Sequence, residues 1–466
     1  MRPLRHVTSI NDLTLDEIET IFSLADRYLA EFGDKDITYR IGASGEACKG
    51  SLMATLFYEP STRTRLSFES AMLRLGGKAI SSADPATSSA AKGESLADTV
   101  RVVSNYTDIL VIRHPRDGAV KLAAQYASVP IISGGDGAHE HPTQTLCDLF
   151  TLRRENKTLK NLNVAVSGDL KGSRTIHSFV YALARFGANI LLMPARGMEL
   201  PAHVDWRLRN EFNVMAVPKE KLGSADPSID AVYVTAEEPH QLSLYAPDEG
   251  LASRLTKNVD VLYMTRFQKE RWAEAAHDYP KIDAEFLRAR RFEKTSVLHP
   301  LPRVGELDVS FDQDSRAAYF RQAAYGVPIR MALIALLLKA DANASLQQFE
   351  SGFRGEYEPV FEQPRDMGLP CANPNCISHD PLDLQNATPK YHLVNAKPAR
   401  LRCFYCESDM EEFVVGNKRT NLFCDADAPA ALPEQSSSDL LFFASASDAE
   451  KHGFSRAARK PRTAAR

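Results

Sequence analysis

Short apolar runs recur along the first 300 residues of the chain, and segments with helical periodicity separate most of them. The runs that predict buried strands are 51–58, 108–112, 129–132, 163–167, 189–193, 230–234, 260–264 and 296–298. The intervening segments that predict helices are 66–75, 94–105, 117–127, 142–154 and 174–186. Strands that alternate with helices in this way indicate an α/β fold with parallel, doubly wound sheets.

Two longer helical segments flank this alternating region. Thr14 and Glu17 have the spacing of a capping box and predict a helix that extends to about residue 32. Residues 323–339 are rich in alanine and leucine and predict a second long helix. The sequence therefore predicts a first α/β domain at 1–148, a second α/β domain at 149–310 and, at 311–340, a C-terminal helix that returns to the first domain.

The composition of the chain changes after residue 340. Residues 341–366 lack a regular periodicity and are predicted to form a linker. Residues 367–424 contain two close pairs of cysteines, which predicts a small, β-rich metal-binding unit. Residues 425–466 contain many Pro, Ser, Ala and Asp residues and end in a basic segment, so we expect a disordered tail.

Length and composition limit the classes of protein to which the chain can belong. A chain of 466 residues is long enough for about three domains. The formal net charge of -4 argues against a general nucleic-acid or membrane binder. No apolar run is long enough to span a membrane, and residues 1–10 lack the apolar segment of a signal peptide. We therefore expect a cytoplasmic protein.

The first cluster of candidate functional residues is Ser61-Thr62-Arg63-Thr64-Arg65, which follows a predicted strand and a turn. This segment begins a helix, whose unpaired backbone N–H groups and partial positive charge suit a phosphate. Three hydroxyl and two guanidinium groups at the same place favour a specific anion-binding site. The alternative interpretation is a helix capped by Ser or Thr, with two solvated arginines.

Four further polar clusters follow predicted strands or begin a predicted helix, as cleft-forming groups in open α/β sheets do. They are Arg113-His114-Pro115, His141-Pro142-Thr143-Gln144, residues 265–271 and His299-Pro300-Leu301-Pro302-Arg303. Pro142 fits the first position of a helix, which places His141 at its cap, facing a cleft. Each cluster alone is also consistent with an ordinary polar loop, so only their combination indicates a site.

Together, these clusters resemble the transcarbamoylase family over roughly residues 1 to 340. The matching text is Phe57–Arg65, His141–Gln144 and His299–Arg303. Within the family, the chain is most similar to aspartate carbamoyltransferases. Ornithine-specific members typically have Cys-Leu-Pro in the late motif and a Ser-Met-Gly sequence, whereas this chain has Pro300 and no Ser-Met-Gly. The segment Tyr263–Arg271 looks like the family's aspartate-binding loop.

The resemblance implies that the amine of L-aspartate attacks carbamoyl phosphate to give N-carbamoyl-L-aspartate and phosphate, the committed step of pyrimidine synthesis. It implies that five residues bind the phosphate, namely Ser61, Thr62, Arg63, Thr64 and Arg113. Three catalytic residues would donate to the carbonyl oxygen, namely Thr64, Arg113 and His141, the last as a neutral donor. The carbamoyl NH₂ would be held by Gln144 and by the backbone carbonyls of Leu301 and Pro302. No cofactor is expected for catalysis, which would come from positioning and electrostatics.

Aspartate carries two carboxylates, and the resemblance assigns them to three residues, Arg174, Arg266 and Gln268. Bidentate contacts between arginine and carboxylate fit this task. In the family, a mobile loop supplies a serine and a lysine to the active site of the neighbouring subunit. Lys92 fits that catalytic lysine, and Ser88 fits the serine by spacing, although Ser89 is adjacent. The resemblance therefore implies a homotrimer with shared sites, in which Lys92 contacts both substrates.

Four cysteines, Cys371, Cys376, Cys403 and Cys406, have the spacing of a structural zinc site. Two disulfides are the alternative, and a cytoplasmic location argues against them. The unit resembles the zinc domain of the aspartate carbamoyltransferase regulatory chain in Asn375–His379 and Cys403–Cys406. In that chain a nucleotide-binding domain precedes the zinc domain, and the linker here, about 27 residues, is too short to contain one.

These resemblances imply a catalytic chain fused to a zinc unit, which could join trimers into a larger assembly. Two alternatives are a transcarbamoylase with another amino-acid acceptor and a catalytically silent homologue that acts as an assembly scaffold. The joint presence of the catalytic and substrate-binding residues argues against a silent homologue. A nucleic-acid-binding zinc ribbon is disfavoured, because residues 367–415 lack a strong basic excess.

Overall fold

The structure is a computed structural model of the chain. The residues that it describes are 6–33, 45–82, 89–155, 158–212, 214, 217–218, 229–235, 259–266, 282–288, 292–340, 364–396, 399–410, 412–427 and 439–457. Two of the predicted site residues, Ser88 and Gln268, lie outside these ranges, as does most of the predicted linker. Within the described ranges, no helix has the length and hydropathy that crossing a membrane requires.

The first domain is built on a four-stranded parallel sheet with strand order β2-β1-β3-β4. Its strands are β1 (Leu52–Phe57), β2 (Lys78–Ser82), β3 (Ile109–His114) and β4 (Ile131–Asp136). Every residue of β3 is buried, which explains why its apolar run is continuous rather than alternating. The direction of connection reverses between β1 and β3, and open α/β sheets bind ligands in the crevice at such a reversal.

Five helices belong to this domain: α1 (Leu15–Phe32), α2 (Thr62–Arg74), α3 (Leu96–Ser104), α4 (Ala119–Tyr126) and α5 (Pro142–Arg154). The predicted capping box of α1 is confirmed, because Thr14 Oγ1 accepts the Glu17 N–H at 3.2 Å and the Glu17 carboxylate accepts the Thr14 N–H at 2.8 Å. Helix α2 begins at Thr62 rather than at residue 66, with Ser61 as its N-cap. The start of this helix therefore coincides with the first polar cluster.

The second domain is built on a six-stranded parallel sheet with strand order β10-β9-β8-β5-β6-β7. Its strands are β5 (Asn163–Gly168), β6 (Asn189–Pro194), β7 (Val217–Pro218), β8 (Ala231–Val234), β9 (Val261–Met264) and β10 (Ser296–Leu298). All eight strands predicted from apolar runs are present in the two sheets, which confirms the α/β fold class. The sequence did not predict β2, an edge strand whose residues are all exposed except the half-buried Ala79.

Two helices accompany the second sheet, α6 (Arg174–Arg185) and α7 (Ala202–Asn210), and a third helix, α8 (Tyr319–Leu337), comes after its last strand. Helix α8 follows the last strand of the second domain but packs against α1, α2 and α5 of the first domain. One continuous apolar core therefore includes side chains from both domains, among them Phe68, Phe150, Phe179 and Met331. The two domains are joined by shared packing as well as by the chain.

The C-terminal region contains two small sheets, and we call its described residues, 364–396, 399–410, 412–427 and 439–457, the cysteine module. The first sheet is antiparallel and contains β11 (Arg365–Asp366), β12 (Lys390–Ala396) and β13 (Ala399–Cys403). This part shares an apolar core with the outer side of the first domain. Gly118 at the start of α4 has a φ of 78°, and a Cβ atom there would lie 2.4 Å from the carbonyl carbon of Tyr405. The close approach of the two backbones therefore requires glycine.

The prediction of a disordered tail from residue 425 is wrong for residues 439–457. The second small sheet has the order β16-β14-β15-β17, and the elements of this part are β14 (Val414–Asn417), β15 (Leu422–Asp425), β16 (Leu440–Phe443), helix α9 (Ala446–Lys451) and β17 (Ser455–Arg456). The short apolar run Leu440–Phe443 pairs with β14. The run is visible in the sequence, but four apolar residues form a stable strand only when a partner strand lies beside them.

Candidate active site

A cleft with a volume of about 760 Å³ lies between the two α/β domains. Its walls come from the segments that follow β1, β3, β5, β9 and β10, together with the first turn of α5 and part of α8. These segments begin at the carboxyl ends of the strands. Because all the strands in each sheet are parallel, those ends lie along one edge of the sheet. The cleft therefore occupies the position at which open α/β sheets bind ligands.

The first turn of α2 contributes four adjacent residues to the cleft, namely Ser61, Thr62, Arg63 and Thr64. Ser61 is the N-cap residue, but its side chain makes no capping hydrogen bond within the described residues and instead donates to Thr64 Oγ1 at 2.9 Å. Arg65 points away from the cleft, and its Nε lies 3.8 Å from Glu69 Oε1. The anion-binding group at this helix start thus has one guanidinium, not the two that the sequence suggested.

Glu59, just before this turn, joins two arginines that line the cleft. Its carboxylate lies 2.7 Å from Arg113 Nη2 and accepts two hydrogen bonds from Arg174, at 2.7 and 2.9 Å. Burial raises the pKa of Glu59, but the hydrogen bonds and charges of Arg174 and Arg113 outweigh this and lower the pKa to about 2. Glu59 is therefore a carboxylate at any physiological pH, and it aligns one arginine from each domain.

The late polar cluster reaches the helix start directly. Arg63 Nη2 donates a hydrogen bond to the carbonyl oxygen of Leu301 at 2.5 Å, and the Leu301–Pro302 peptide bond is cis. His299 anchors this segment, since its Nδ1 accepts the Leu301 N–H at 2.8 Å and its Nε2 lies 2.8 Å from Glu306. Leu301 is thereby held beside the first turn of α2, and Pro302 follows it.

His141 is the N-cap residue of α5, which confirms its predicted position. The residue is 5% exposed and lines the cleft. Burial, followed by the positive charges of Arg113 and Arg174, holds the pKa of His141 well below its ordinary value. The imidazole is therefore neutral, and one ring nitrogen can donate a hydrogen bond.

Positive charge dominates the cleft. Among the described residues that line it are five arginines and one carboxylate, namely Arg63, Arg113, Arg174, Arg266, Arg330 and Glu59. Burial and the nearby charge of Arg266 lower the pKa of Arg63, and burial and the charge of Arg174 lower the pKa of Arg113 to about 10. The guanidinium groups thus repel one another, and a bound polyanion would relieve that repulsion.

One described residue of the predicted set does not line the cleft, and two others lie outside the described residues. Lys92 ends the short 3-10 helix Ser89–Lys92, is exposed and does not line the cleft of its own chain. Ser88 and Gln268 lie outside the described residues. The other eleven predicted substrate-binding residues line one cleft, namely Ser61, Thr62, Arg63, Thr64, Arg113, His141, Gln144, Arg174, Arg266, Leu301 and Pro302.

The structure also reveals lining residues that sequence reasoning missed. Arg330 on α8 is buried, donates to the Gly326 carbonyl at 2.9 Å and lies over the Phe68 ring. It is the one charged residue in the apolar segment 327–338, a signal that could have identified it. Asn375 reaches the rim of the cleft from the cysteine module, and no local pattern could have placed it there.

The four predicted metal ligands form a compact cluster in the cysteine module. The Sγ atoms of Cys371 and Cys406 are 3.6 Å apart, those of Cys376 and Cys403 are 3.9 Å apart, and all four lie within 4.8 Å of one another. A tetrahedral zinc site with Zn–S bonds of about 2.3 Å needs sulfur atoms separated by about 3.8 Å. None of the four forms a disulfide. The donor set therefore fits a closed structural zinc site.

His379 and Cys424 are excluded as ligands by their positions. His379 Nε2 lies 2.8 Å from the carbonyl oxygen of Cys371, so the ring supports the site without joining it. Cys424 lies on β15 and is not part of the cluster. The four cysteines complete a tetrahedral shell without either residue.

Comparisons with known families agree with this geometry. Residues 5–155 match the aspartate/ornithine carbamoyltransferase family, carbamoyl-P binding domain, and residues 160–337 match its Asp/Orn binding domain. Residues 366–415 match the aspartate carbamoyltransferase regulatory chain, metal binding domain. Residues 405–461 match the metal binding domain of Ada, but they contain only two cysteines, Cys406 and Cys424, so this match supports a fold rather than a second metal site.

Individual relatives match the region before the linker. The chain is 41% identical over 340 residues to the aspartate carbamoyltransferase catalytic subunit of Clostridium kluyveri, covering 72% of this chain and 98% of that protein. It is 40% identical over 339 residues to the catalytic subunit of Thermoplasma acidophilum, with the same coverage of both proteins.

Two solved structures show the same architecture. The catalytic subunit of M. jannaschii aspartate transcarbamoylase has 38% identity and a TM-score of 0.56, covering 72% of this chain and 98% of that one. Aspartate transcarbamoylase from Trypanosoma cruzi, in complex with carbamoyl phosphate and aspartate, has 33% identity and a TM-score of 0.55, covering 71% and 95%.

The two α/β domains and the arginine-lined cleft between them are those of a carbamoyltransferase. The chain belongs to the aspartate carbamoyltransferase family. It is a transferase that carbamoylates aspartate, and a metal-binding domain of the regulatory-chain type follows the catalytic region in the same polypeptide.

Proposed function

We propose that this chain binds carbamoyl phosphate at the start of α2 and L-aspartate beside it, and transfers the carbamoyl group between them. The observation that carries the proposal is the convergence in one cleft, lined by five arginines, of eleven predicted residues that come from six separate segments of the chain. Ser61, Thr62, Arg63 and Thr64 would hold the phosphate, together with Arg113 from the neighbouring strand. Backbone N–H groups at the helix start add to this attraction.

The reaction would proceed by direct attack of the aspartate amine on the carbamoyl carbon. Thr64, Arg113 and neutral His141 would donate to the carbonyl oxygen as negative charge develops on it. Gln144 and the carbonyl groups of Leu301 and Pro302 would hold the carbamoyl NH₂. The leaving phosphate is the acceptor of the amine proton, and no cofactor takes part. Catalysis would come from positioning and from fixed positive charge.

The two carboxylates of aspartate would bind to Arg174, Arg266 and Gln268. Arg174 supports this role because its guanidinium is already aligned by two hydrogen bonds to Glu59 and one to the Gly137 carbonyl, at 2.7 to 2.9 Å. A preorganised guanidinium loses little conformational freedom when it forms a bidentate contact with a carboxylate.

Lys92 would complete the site of a neighbouring subunit, with Ser88, in a homotrimer. Its exposure and its absence from the cleft of its own chain support this arrangement. Two apolar side chains of the first domain, Leu73 on α2 and Ile80 on edge strand β2, are 56% and 45% exposed. A subunit interface would cover such residues.

The cysteine module would bind a structural zinc ion and could join trimers into a larger assembly. Its thiolate ligands require reduced cysteines, which supports a location in the cytoplasm. The product, N-carbamoyl-L-aspartate, places the enzyme at the committed step of pyrimidine synthesis.

Mixing two inactive variants tests the shared site. Arg63→Ala should abolish phosphate binding, and Lys92→Ala should remove the contribution to the neighbour. In random trimers of the two variant chains, about a quarter of the sites combine an intact phosphate-binding turn (Ser61–Thr64) from one chain with an intact Lys92 from its neighbour. We expect activity with carbamoyl phosphate and aspartate to return to about that fraction of the wild-type value. Arg65→Ala is the matched control, because Arg65 faces away from the cleft, and it should retain activity.

Absence of recovery in the mixture would contradict shared sites. Turnover of ornithine, but not of aspartate, by the wild-type enzyme would contradict the assignment of the acceptor site.

A further inference from the structure

Helix α3 begins immediately after the segment that carries Lys92. Lys92 is followed by Gly93 and Glu94, and Ser95 is the N-cap of the helix. The position of Lys92 relative to its own domain is therefore set, on the C-terminal side of the loop, by the first turn of α3. Whatever fixes that turn fixes one end of the loop.

The backbone N–H groups of this first turn donate to two different residues, Ser95 and Asp383. Ser95 Oγ accepts the Asp98 N–H at 3.0 Å, and the Ser95 carbonyl accepts the Thr99 N–H at 3.0 Å. The two remaining groups, of Leu96 and Ala97, donate to the two carboxylate oxygens of Asp383 at 2.9 and 3.2 Å. Asp383 belongs to the cysteine module, so two of the orphan donors of α3 are satisfied by a distant part of the chain.

Asp383 is suited to this task by its surroundings. Its side chain is 2% exposed, and a carboxylate at a helix N-terminus is stabilised by the unpaired N–H groups and the helix dipole. Its own carbonyl accepts the Asn386 and Ala387 N–H groups, at 2.9 and 2.7 Å. The same turn is tied to α4, since the Tyr126 hydroxyl donates to the Asn386 carbonyl at 2.9 Å. The carboxylate is thus held on a rigid turn.

We propose that Asp383 of the cysteine module is a positioning residue for Lys92, because it fixes the first turn of α3 from which the catalytic loop extends. This proposal rests on the function proposed above for Lys92 in the neighbouring site. The cysteine module would then contribute to catalysis, by holding the loop of its own chain in the geometry that the neighbouring cleft requires. Its role would not be limited to assembly.

The test compares Asp383→Ala in two backgrounds by steady-state kinetics, with carbamoyl phosphate and aspartate as substrates. In the wild-type background, we expect kcat/KM to fall about tenfold, because a small displacement of a reacting group has a large effect on rate. In the Lys92→Ala background, the same substitution should change kcat/KM less than about twofold, because the group being positioned is absent. An equal loss in both backgrounds would overturn the proposal.

Mixed trimers provide a second and independent readout. Asp383→Ala chains retain an intact phosphate-binding turn (Ser61–Thr64), and Arg63→Ala chains retain a correctly positioned Lys92 segment. A quarter of the sites in an equal mixture would combine the two intact parts, so activity should rise to about fivefold above the mean of the two parents. If Asp383 instead supports the cleft of its own chain, the mixture should stay at that mean, and the proposal is wrong.

Controls separate this effect from loss of folding and from failure of the proposed function. Asp380→Ala removes an ion pair of the same turn with Arg116, at 3.4 Å, without removing an acceptor from α3, and it should retain wild-type kinetics. Asp383→Asn keeps the shape of the side chain but loses one acceptor oxygen, so it should give an intermediate loss with unchanged zinc content. Wild-type activity in Lys92→Ala itself would refute the role of Lys92, whereas wild-type activity in both Asp383 variants would refute only the positioning role.

Discussion

At the scale of single residues, Asp148 connects the parts of the active site that come from different elements. Its carboxylate accepts hydrogen bonds from Gln144 at 2.8 Å, from Gln322 at 2.7 Å and from the Tyr263 hydroxyl at 3.0 Å. Gln144 lies in the cleft, and Tyr263 lies on β9, close before Arg266. One buried carboxylate therefore contacts both the side chain expected to hold the carbamoyl group and the strand that precedes Arg266, which is expected to bind aspartate.

The pKa of Asp148 makes this connection sensitive to pH. Burial raises the pKa to about 7 from an ordinary value of 3.8, and the hydrogen bonds only partly oppose this effect. Between these two values, the native state retains a proton that the unfolded chain has released. The stabilisation from this group is complete below the unfolded pKa and is lost as the pH rises through about 7.

Replacing Asp148 with Asn should remove this dependence, because an amide has no proton to lose. Asn can still accept from both glutamines, and the Tyr263 hydroxyl can accept from its NH₂. Between pH 5 and pH 8, we expect the thermal midpoint of the wild type to fall by a few degrees relative to that of the variant. Differential scanning calorimetry at the two pH values measures it. Equal differences at both values would show that Asp148 is not protonated in the native state near neutral pH.

At the scale of elements, strand β13 connects the metal site to the second domain. The strand ends in the ligand Cys403, and two of its arginines lie over the Trp206 ring of α7. The Cζ atoms of Arg400 and Arg402 are 5.4 and 4.9 Å from the ring centroid. Because small zinc domains depend on the metal for their folding, the docking of β13 on α7 should depend on it too.

Removal of the metal should therefore change the fluorescence of Trp206. We expect a shift of the emission maximum to longer wavelength when zinc is chelated or when Cys403 is replaced by Ser, because the indole becomes more exposed to water. Metal content measured on the same samples should fall in parallel. The control is Trp206→Phe, in which the shift should disappear if Trp206 is its source. Complete loss of zinc with an unchanged emission spectrum would mean that β13 stays docked without metal.

At the scale of the whole molecule, the cysteine module bridges the two catalytic domains through Glu407. Its carboxylate forms an ion pair with Lys121 of α4 at 3.1 Å and a second with Arg207 of α7. Burial raises the pKa of Glu407, but the charges of Arg207 and Lys121 outweigh it and hold the pKa well below its ordinary value. One side chain of the module thus pairs with a cation from each domain.

Removal of this carboxylate should destabilise the molecule strongly. Glu407→Ala leaves Lys121 and Arg207 without their common anion, and unpairing a buried ion pair costs about 3–5 kcal/mol. Unfolding in guanidinium chloride, followed for the zinc-loaded enzyme, measures the loss. Asp205→Ala, which breaks an exposed pair with Arg209 on the same helix, is the matched control and should cost less than about 1 kcal/mol. Similar losses for both variants would contradict the importance of the bridge.

Much of this organisation can be predicted from the sequence, for reasons that differ between elements. The strand at 109–114 is buried on both sides, so its apolar run is continuous and easy to recognise. The capping box of α1 is a local pattern with a local cause. Strand β16 was missed, because a run of four apolar residues becomes a strand only when β14 lies beside it.

The sequence by itself determined the two α/β domains, the helix start that carries Ser61 to Thr64, and the four cysteines of the metal cluster. Each of these depends on residues that are close in the chain and obey local rules of periodicity, capping or ligand spacing. Tertiary structure alone decided that Arg65 leaves the cleft, that Arg330 enters it and that Asp383 caps α3. Asp383 and Leu96 are separated by 287 positions, and a contact over such a separation has no local signature. It exists because the cysteine module folds against the first domain and brings its carboxylate to the unpaired end of a helix.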